Sequence, residues 1–373
     1  MYTEQDLVAI AKRENNTKRS YLVVNKLQAK HVAVSPSKAL NMFLALGDEV
    51  KKKYPKEKLL LIGFAETATA IGAAIATELD AYYMQTTRES IENVEYLFFS
   101  EEHSHATEQK LIKTDLDTVI EKVDRVIFIE DEVTTGNTIL NSIKIMEKVY
   151  LKHIKFSVAS ILNGMNGEAM ALYESRGIET IYLVKTNHDT YAEIADQFCG
   201  DGDKQVLSNE NCGVSYKEVE VSHYLNARRL NQGADYEKAC ERLWEAVKTG
   251  VAVGTQKRVL VLGTEEFMYP AIFVGEKIEK EQNEVRCHST TRSPIEVSME
   301  KEYPLHTRYE LASLYDKNRK TFLYDIGVYD VVLILTDADN QESEGIQMLL
   351  HALQMSGNKN INLIRWCNHE ELI

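Results

Sequence analysis

The run from Arg125 to Met146, RVIFIEDEVTTGNTILNSIKIM, constrains this chain more than any other stretch. Val126, Ile127, Phe128 and Ile129 are four consecutive apolar residues, mostly β-branched, the pattern of a strand covered on both faces. Glu130 and Asp131 follow where that strand should emerge at its carboxyl end. Thr134, Thr135, Gly136, Asn137 and Thr138 then make a tight polar loop into a helix, whose apolar stripe is Ile139, Ile143 and Met146.

Such a loop is built for an anion. Gly136 permits a left-handed backbone, so successive N–H groups can point inward. The helix start adds free N–H donors and the positive end of its dipole. Three threonine hydroxyls add donors, and a phosphate is the natural guest. The acidic pair would repel that phosphate, so it suits vicinal hydroxyls or a metal ion. Together they describe a site for ribose 5-phosphate.

This constellation resembles the PRPP motif of type I phosphoribosyltransferases: a hydrophobic strand, two acids, then Thr-Thr-Gly and a hydroxyl residue. A Walker loop would need Gly-Lys-Ser/Thr and lacks the preceding acids. The resemblance implies that Thr134, Thr135, Gly136, Asn137 and Thr138 hold the 5-phosphate of PRPP. It implies that Glu130 and Asp131 hold the ribose hydroxyls and stabilise positive charge at the anomeric carbon, with magnesium close by.

The rest of the first half agrees with an α/β plan. Leu59 to Ile62 predicts a second buried strand, ending at Gly63-Phe64-Ala65-Glu66-Thr67 before a small-residue helix, Ala68 to Leu79. Within the resemblance this turn, with Ala65, Glu66 and Thr67, holds the pyrophosphate of PRPP. Glu66 either faces a magnesium ion or caps the helix. A strand Tyr82 to Gln85 leads to Thr86-Thr87-Arg88, and Arg88 falls where the family places a basic residue on pyrophosphate. A cation there stabilises the charge that develops on the leaving group. The 89 to 112 segment stands where the family has a closing loop, which keeps water from a carbocation-like centre. Its His103 and His105 are candidates for phosphate binding or proton transfer near neutral pH.

Phe156 to Leu162 and Ile178 to Val184 predict further strands around a helix Glu168 to Arg176. Repetition of strand, helix and strand indicates an open, mostly parallel sheet with ligands at the carboxyl ends of its strands. At the amino end the sequence predicts a helix from Glu4 to Arg13, then strands Tyr21 to Val24 and Val32 to Val34. Lys30 and His31 read as exposed turn residues between them, with substrate contact as the alternative. Ser35-Pro36 predicts a helix start. Residues 186 to 235 lose the rhythm and read as a connecting segment, with a helix Tyr236 to Val247 after it.

The carboxyl third repeats the plan. Arg258 to Leu262 ends in Gly263-Thr264-Glu265-Glu266, and Val285 to His288 leads to Thr290-Thr291-Arg292, as Tyr82 to Gln85 leads to Thr86-Thr87-Arg88. Asp330 to Leu335 takes the place of the central strand, but acids replace the Thr-Thr-Gly loop after it. The second domain therefore reads as a degenerate copy that has lost the ribose-phosphate loop, with Thr290, Thr291 and Arg292 as its candidate patch.

Thr291-Arg292-Ser293-Pro294, together with GFAETATAIG, EEHSHAT and EDEVTTGNT, is similar to the two-domain phosphoribosyltransferases that carry a carboxyl-terminal TRSP domain. Those proteins occur with bacterial tellurite-resistance and stress genes. The resemblance implies residues 1–225 as a type I phosphoribosyltransferase domain and 226–373 as a smaller TRSP-type α/β domain. It implies a transferase that uses PRPP and Mg2+ to ribosylate a small-molecule acceptor toward a nucleoside-like metabolite. The alternatives are a PRPP-binding regulator without turnover, and a nucleosidase or phosphorolytic enzyme that cleaves ribonucleotides.

Composition sets bounds on these readings. A formal net charge of −14 argues against a nucleic-acid partner. The five cysteines lack a Cys-x-x-Cys pair, which argues against a disulfide framework or zinc site and fits a cytoplasmic location. No apolar run reaches the ~18 residues of a membrane helix. A homodimer, or a complex with pathway enzymes, is the expected assembly.

Overall fold

The computed structural model describes residues 1–14, 19–99, 109–150, 153–207, 214–339 and 343–367. The chain gathers into two compact units, each discontinuous in sequence. The first takes residues 1–2, 41–186 and 225–238; the second takes 3–40, 187–224 and 239–373.

The amino end carries α1 (Glu4–Leu7), β1 (Val8–Lys12) and β2 (Tyr21–Asn25). The helix expected through Arg13 is only one turn, opened by a capping box between Thr3 and Asp6. Val8–Lys12 instead pair antiparallel with Tyr21–Asn25, from Val8↔Asn25 to Lys12↔Tyr21. The ladder buries Ala11 and Val24, and that tertiary gain outweighs the helix propensity of Ala9, Ala11 and Lys12. The strand expected over Val32 to Val34 reduces to an isolated bridge, Val34↔Cys287. Lys30 and His31 are buried, not exposed.

Helix α2 (Pro36–Lys53) begins with proline at its first position. After it come β3 (Leu59–Gly63), α3 (Thr69–Leu79), β4 (Tyr82–Gln85), and the antiparallel pair β5 (Tyr96–Phe99) and β6 (Gln109–Ile112). Next are α4 (Lys113–Val119), β7 (Arg125–Val133), α5 (Asn137–Val149), β8 (Lys155–Asn163), α6 (Gly167–Ser175) and β9 (Glu179–Lys185).

The segment expected to be a connector builds α7 (Tyr191–Asp196), β10 (Asp203–Val206), β11 (Lys217–Val221) and β12 (Asn231–Gln232). Its strands are polar because they pair at sheet edges, where one face meets water. The chain ends with α8 (Gly233–Gly250), β13 (Arg258–Gly263), α9 (Tyr269–Lys280), β14 (Glu284–Ser289), β15 (Thr307–Ala312), β16 (Lys320–Tyr324), β17 (Val331–Thr336), α10 (Glu344–Met355) and β18 (Ile361–Trp366).

The first unit holds a six-stranded sheet in the order β12-β4-β3-β7-β8-β9. Its five longer strands are parallel, and β12 adds antiparallel at the edge. Leu60, Leu61, Ile62, Val126, Ile127 and Phe128 are fully buried in its centre. Helix α3 lies close to the sheet because it is small-sided: a Cβ on Gly72 would come within 2.8 Å of the Tyr83 ring.

The second unit holds a five-stranded parallel sheet, β11-β18-β17-β13-β14, and a three-stranded sheet, β10-β15-β16. One of its cores joins Ala11, Leu22 and Val24 of β1 and β2 to Ile295, Val297, Tyr303, Leu305, Phe322 and Tyr324. Sheet order β14-β13-β17-β18 repeats β4-β3-β7-β8 of the first unit. Among the described residues, no helix is long and apolar enough to cross a membrane.

Candidate active site

Three turns meet at the carboxyl ends of the adjacent strands β4, β3 and β7. They are Thr86 to Arg88, Phe64 to Ala68, and Thr134 to Gly136. The order of the sheet brings them together, as a parallel open sheet requires.

The turn after β3 is held from several sides. Phe64 N–H donates to the Ile129 carbonyl across 3.1 Å. A ring of side chain and backbone then closes around Ala65. Its N–H donates to Thr86 Oγ1 at 2.8 Å, the Thr86 hydroxyl donates to Gln109 Oε1 at 2.8 Å, and Gln109 Nε2 donates to the Ala65 carbonyl at 2.8 Å. The Thr67 hydroxyl donates to Asp131 Oδ1 at 2.8 Å and ties this turn to the acidic pair. The Ala65–Glu66 peptide is cis. The N-cap of α3 is Ala68, which has no side-chain hydrogen bond to offer.

Strand β7 runs past the acidic pair to Val133, so Glu130 and Asp131 are strand residues. Both are half-buried. Burial, and then the neighbouring Asp131 carboxylate, holds Glu130 well above the ordinary carboxylate range. Burial also raises Asp131, with Glu132 adding to the effect and the Thr67 hydrogen bond opposing it. Adjacent desolvated carboxylates favour a positive guest.

The turn after β7 presents the other sign. Gly136, which has no side chain to offer, is the N-cap of α5 with φ of 72°, and Thr135 Oγ1 accepts from the Asn137 N–H at a long 3.4 Å. The N–H groups of the first turn therefore keep capacity for an anion. Thr135 and Asn137 are exposed, while Thr134 and Thr138 are half-buried. The Gly136 carbonyl accepts the buried Tyr173 hydroxyl at 2.7 Å. A Cβ at Gly136 would collide with that hydroxyl.

Arg88 is half-buried just beyond β4, two residues past Thr86. The turn Ala65 to Thr67, the acids and the Thr134 to Thr138 loop thus share one end of one sheet. His103 and His105 lie outside the described residues. Thr290 and Thr291 of the second unit are fully buried, as are Thr86 and Thr87 of the first.

Two residues join the site that motif reading did not single out, and a third lies at the same end of the sheet, two strands from β7. Gln109 locks the turn after β3, and Tyr173 backs the glycine of the anion loop. Lys185, at the carboxyl end of β9, donates to Asn163 Oδ1 at 2.9 Å and also to the Met165 carbonyl. Burial lowers its pKa from the ordinary lysine value. Its position directly after a predicted strand was the available signal.

Among the described residues, no group of three His, Cys, Asp or Glu side chains forms a metal cage. Two carboxylates, raised in pKa by burial, are nevertheless the number that a magnesium ion takes from a protein when phosphates and waters complete its shell. The donor set fits a magnesium ion carried by a phosphorylated substrate.

A family model described as phosphoribosyl transferase matches residues 7–188. A second, described as the TRSP domain C-terminal to it, matches residues 228–353. No curated protein sequence matches the chain. Among solved structures, the adenine phosphoribosyltransferase of Giardia lamblia complexed with 9-deazaadenine is 16% identical, covering 49% of this chain and 96% of that one, with a TM-score of 0.34. The Trypanosoma brucei adenine enzyme, in complex with AMP, pyrophosphate and ribose-5-phosphate, is 15% identical over 62% of this chain and 88% of that one, TM-score 0.35. An orotate phosphoribosyltransferase from Aeropyrum pernix is 13% identical over 51% of this chain and 93% of that one, TM-score 0.32.

Proposed function

Since the chain belongs to the phosphoribosyltransferases that carry a TRSP domain at their carboxyl end, we propose that its first unit transfers the phosphoribosyl group of PRPP to a small-molecule acceptor. The observation that carries this reading is the meeting of a helix amino end opened by glycine, a tethered backbone turn and a carboxylate pair at the carboxyl end of one sheet. The helix amino end suits a phosphate, and the carboxylate pair suits a positive guest.

The 5-phosphate sits on the backbone donors and hydroxyls of Thr134 to Thr138. Glu130 and Asp131 take the ribose 2- and 3-hydroxyls. The Ala65-Glu66-Thr67 turn and Arg88 take the pyrophosphate. Magnesium, when bound with that pyrophosphate, neutralises its charge and lowers the energy of its departure.

In the reaction a nucleophilic atom of the acceptor bonds to the anomeric carbon. The bond from that carbon to pyrophosphate oxygen breaks, its electron pair leaves with pyrophosphate, and the acceptor gives up a proton. Arg88 meets the charge growing on the leaving oxygen, and the carboxylates face the positive ribosyl centre. Thr67 fixes the direction of one of those carboxylates. The product is a nucleoside-like 5-phosphate, and the enzyme works in the cytoplasm.

Calorimetric titration with PRPP and Mg2+ tests the reading, alongside a chain carrying Thr135→Ala and Gly136→Val. Binding by the native chain alone supports it. Absence of heat and of any thermal shift in the native chain refutes it and redirects the search to ribonucleotides and other phosphorylated sugars.

A further inference from the structure

The second unit repeats the first down to single hydrogen bonds. Ala65 N–H donates to Thr86 Oγ1 at 2.8 Å, and Glu265 N–H donates to Thr290 Oγ1 at 3.0 Å. Thr86 N–H reaches the Gly63 carbonyl at 2.9 Å, and Thr290 N–H reaches that of Gly263 at 3.2 Å. Before the first strands, Asp124 Oδ2 accepts from Lys58 N–H and Asp330 Oδ2 accepts from Arg258 N–H, each at 2.8 Å. In this register Glu265, Glu266, Arg292 and Asp337 stand where the first unit has Ala65, Glu66, Arg88 and Asp131.

The equivalent place is full. Arg292 Nε meets Glu265 Oε2 at 2.7 Å, and its Nη2 meets Glu266 Oε1 at 3.0 Å. Arg319 Nη1 meets the same Glu265 oxygen at 2.9 Å, and the Ser313 hydroxyl donates to the other. Lys30 Nζ donates to the carbonyls of Glu265 at 2.7 Å and Thr290 at 2.9 Å, holding the turn from behind. Glu265 and Glu266 are 1% and 2% exposed. Burial at that depth requires paired cations, and the arginines supply them.

The other two subsites are filled as well. Asp337 accepts from Tyr315 at 2.6 Å and from Tyr224 at 2.5 Å. Helix α10 is capped by its own Ser343, whose hydroxyl oxygen accepts from Ile346 N–H, whereas the N-cap of α5 is a glycine and Thr135 Oγ1 reaches its Asn137 N–H only at 3.4 Å.

We propose that Glu265 and Glu266 are an internal ligand. They occupy the place that corresponds to the turn after β3 and Arg88 of the first unit, so the native second unit binds no diphosphate. Its guanidinium pair takes one only after those carboxylates lose their charge. The duplicated fold has kept its anion cradle as a structural ion network.

The full chain, native and with Glu265→Gln plus Glu266→Gln, is titrated calorimetrically with inorganic pyrophosphate. The native chain is expected to bind at most one per chain. The double variant gains one further site, at least ~10-fold tighter than any second-site signal in the native chain, because charge-assisted bidentate contacts become available. Adding Arg319→Gln to the double variant removes the gain and locates it. Two pyrophosphates on the native chain, or no added site in a double variant with native circular dichroism, overturns the proposal. If the double variant does not fold, Glu266→Gln alone tests the same gain, and the native count still decides against an open site. A native chain that binds none while the variant gains one speaks against the first-unit reading and leaves this one standing.

Discussion

The Thr67 hydroxyl donates to Asp131 Oδ1 across 2.8 Å, joining the turn after β3 to the acidic end of β7. One carboxylate oxygen is thereby fixed in direction. If Asp131 must face the ribosyl centre, releasing it slows the chemical step more than it weakens binding. Thr67→Val is expected to lower kcat about 10-fold with a smaller change in KM, and Thr67→Ser to restore it. Pyrophosphate release under saturating PRPP measures both. Equal losses in Val and Ser variants would remove the orienting role.

Glu130 gives a prediction with opposite signs for stability and function. Burial raises its pKa in the folded chain above the unfolded value. The folded chain therefore keeps a proton that the unfolded chain has released. Stability is highest below the unfolded carboxylate pKa and falls as pH rises toward the folded one. Glu130→Gln removes that penalty, so at pH 7 the variant should melt about 2 °C or more above the native chain. The gap should close below about pH 4, where the unfolded carboxyl is also protonated. The same variant should lose PRPP turnover. A lower melting temperature at pH 7 would contradict the account.

Gly136 has no room for a side chain, because its φ is 72° and a Cβ would strike the Tyr173 hydroxyl. Gly136→Ala is expected to weaken PRPP binding by about 10-fold or more, an effect of over 1 kcal/mol. Tyr173→Phe removes only the hydrogen bond to the Gly136 carbonyl and should cost about 1 kcal/mol of stability. Relief of the Ala defect by adding Tyr173→Phe, read by calorimetry, would assign part of it to the collision.

Arg88 separates an enzyme from a regulator. Arg88→Ala should abolish pyrophosphate release in a transferase while the 5-phosphate loop still engages ribose 5-phosphate. Retention of full turnover would place pyrophosphate elsewhere.

The central strand, the acids and the Thr-Thr-Gly loop were legible because a doubly covered strand needs an unbroken apolar run, and a phosphate turn needs glycine at positive φ. The repeat in the carboxyl third was legible for the same reasons. Burial of Lys30 was not, since its partners are backbone carbonyls of Glu265 and Thr290, remote in sequence. Nor was β1, whose VAIAK run carries no alternation and takes its conformation from β2. Strand β11, KEVEV, reads as a polar connector until β18 is found beside it. The contribution of Tyr173 depends on α6 packing behind the loop, which spacing alone does not reveal.

Lys30 and the β1–β2 ladder also set an order for biosynthesis. The ribosome releases residues 3–40 long before Ile295 to Tyr324, the stretch that covers Leu22 and Val24. Throughout that interval the nascent amino end carries an apolar ladder without its cover, the kind of surface that chaperones recognise. Chains cut short before Leu305 keep it uncovered for good, so premature termination should yield aggregates and not a working first half.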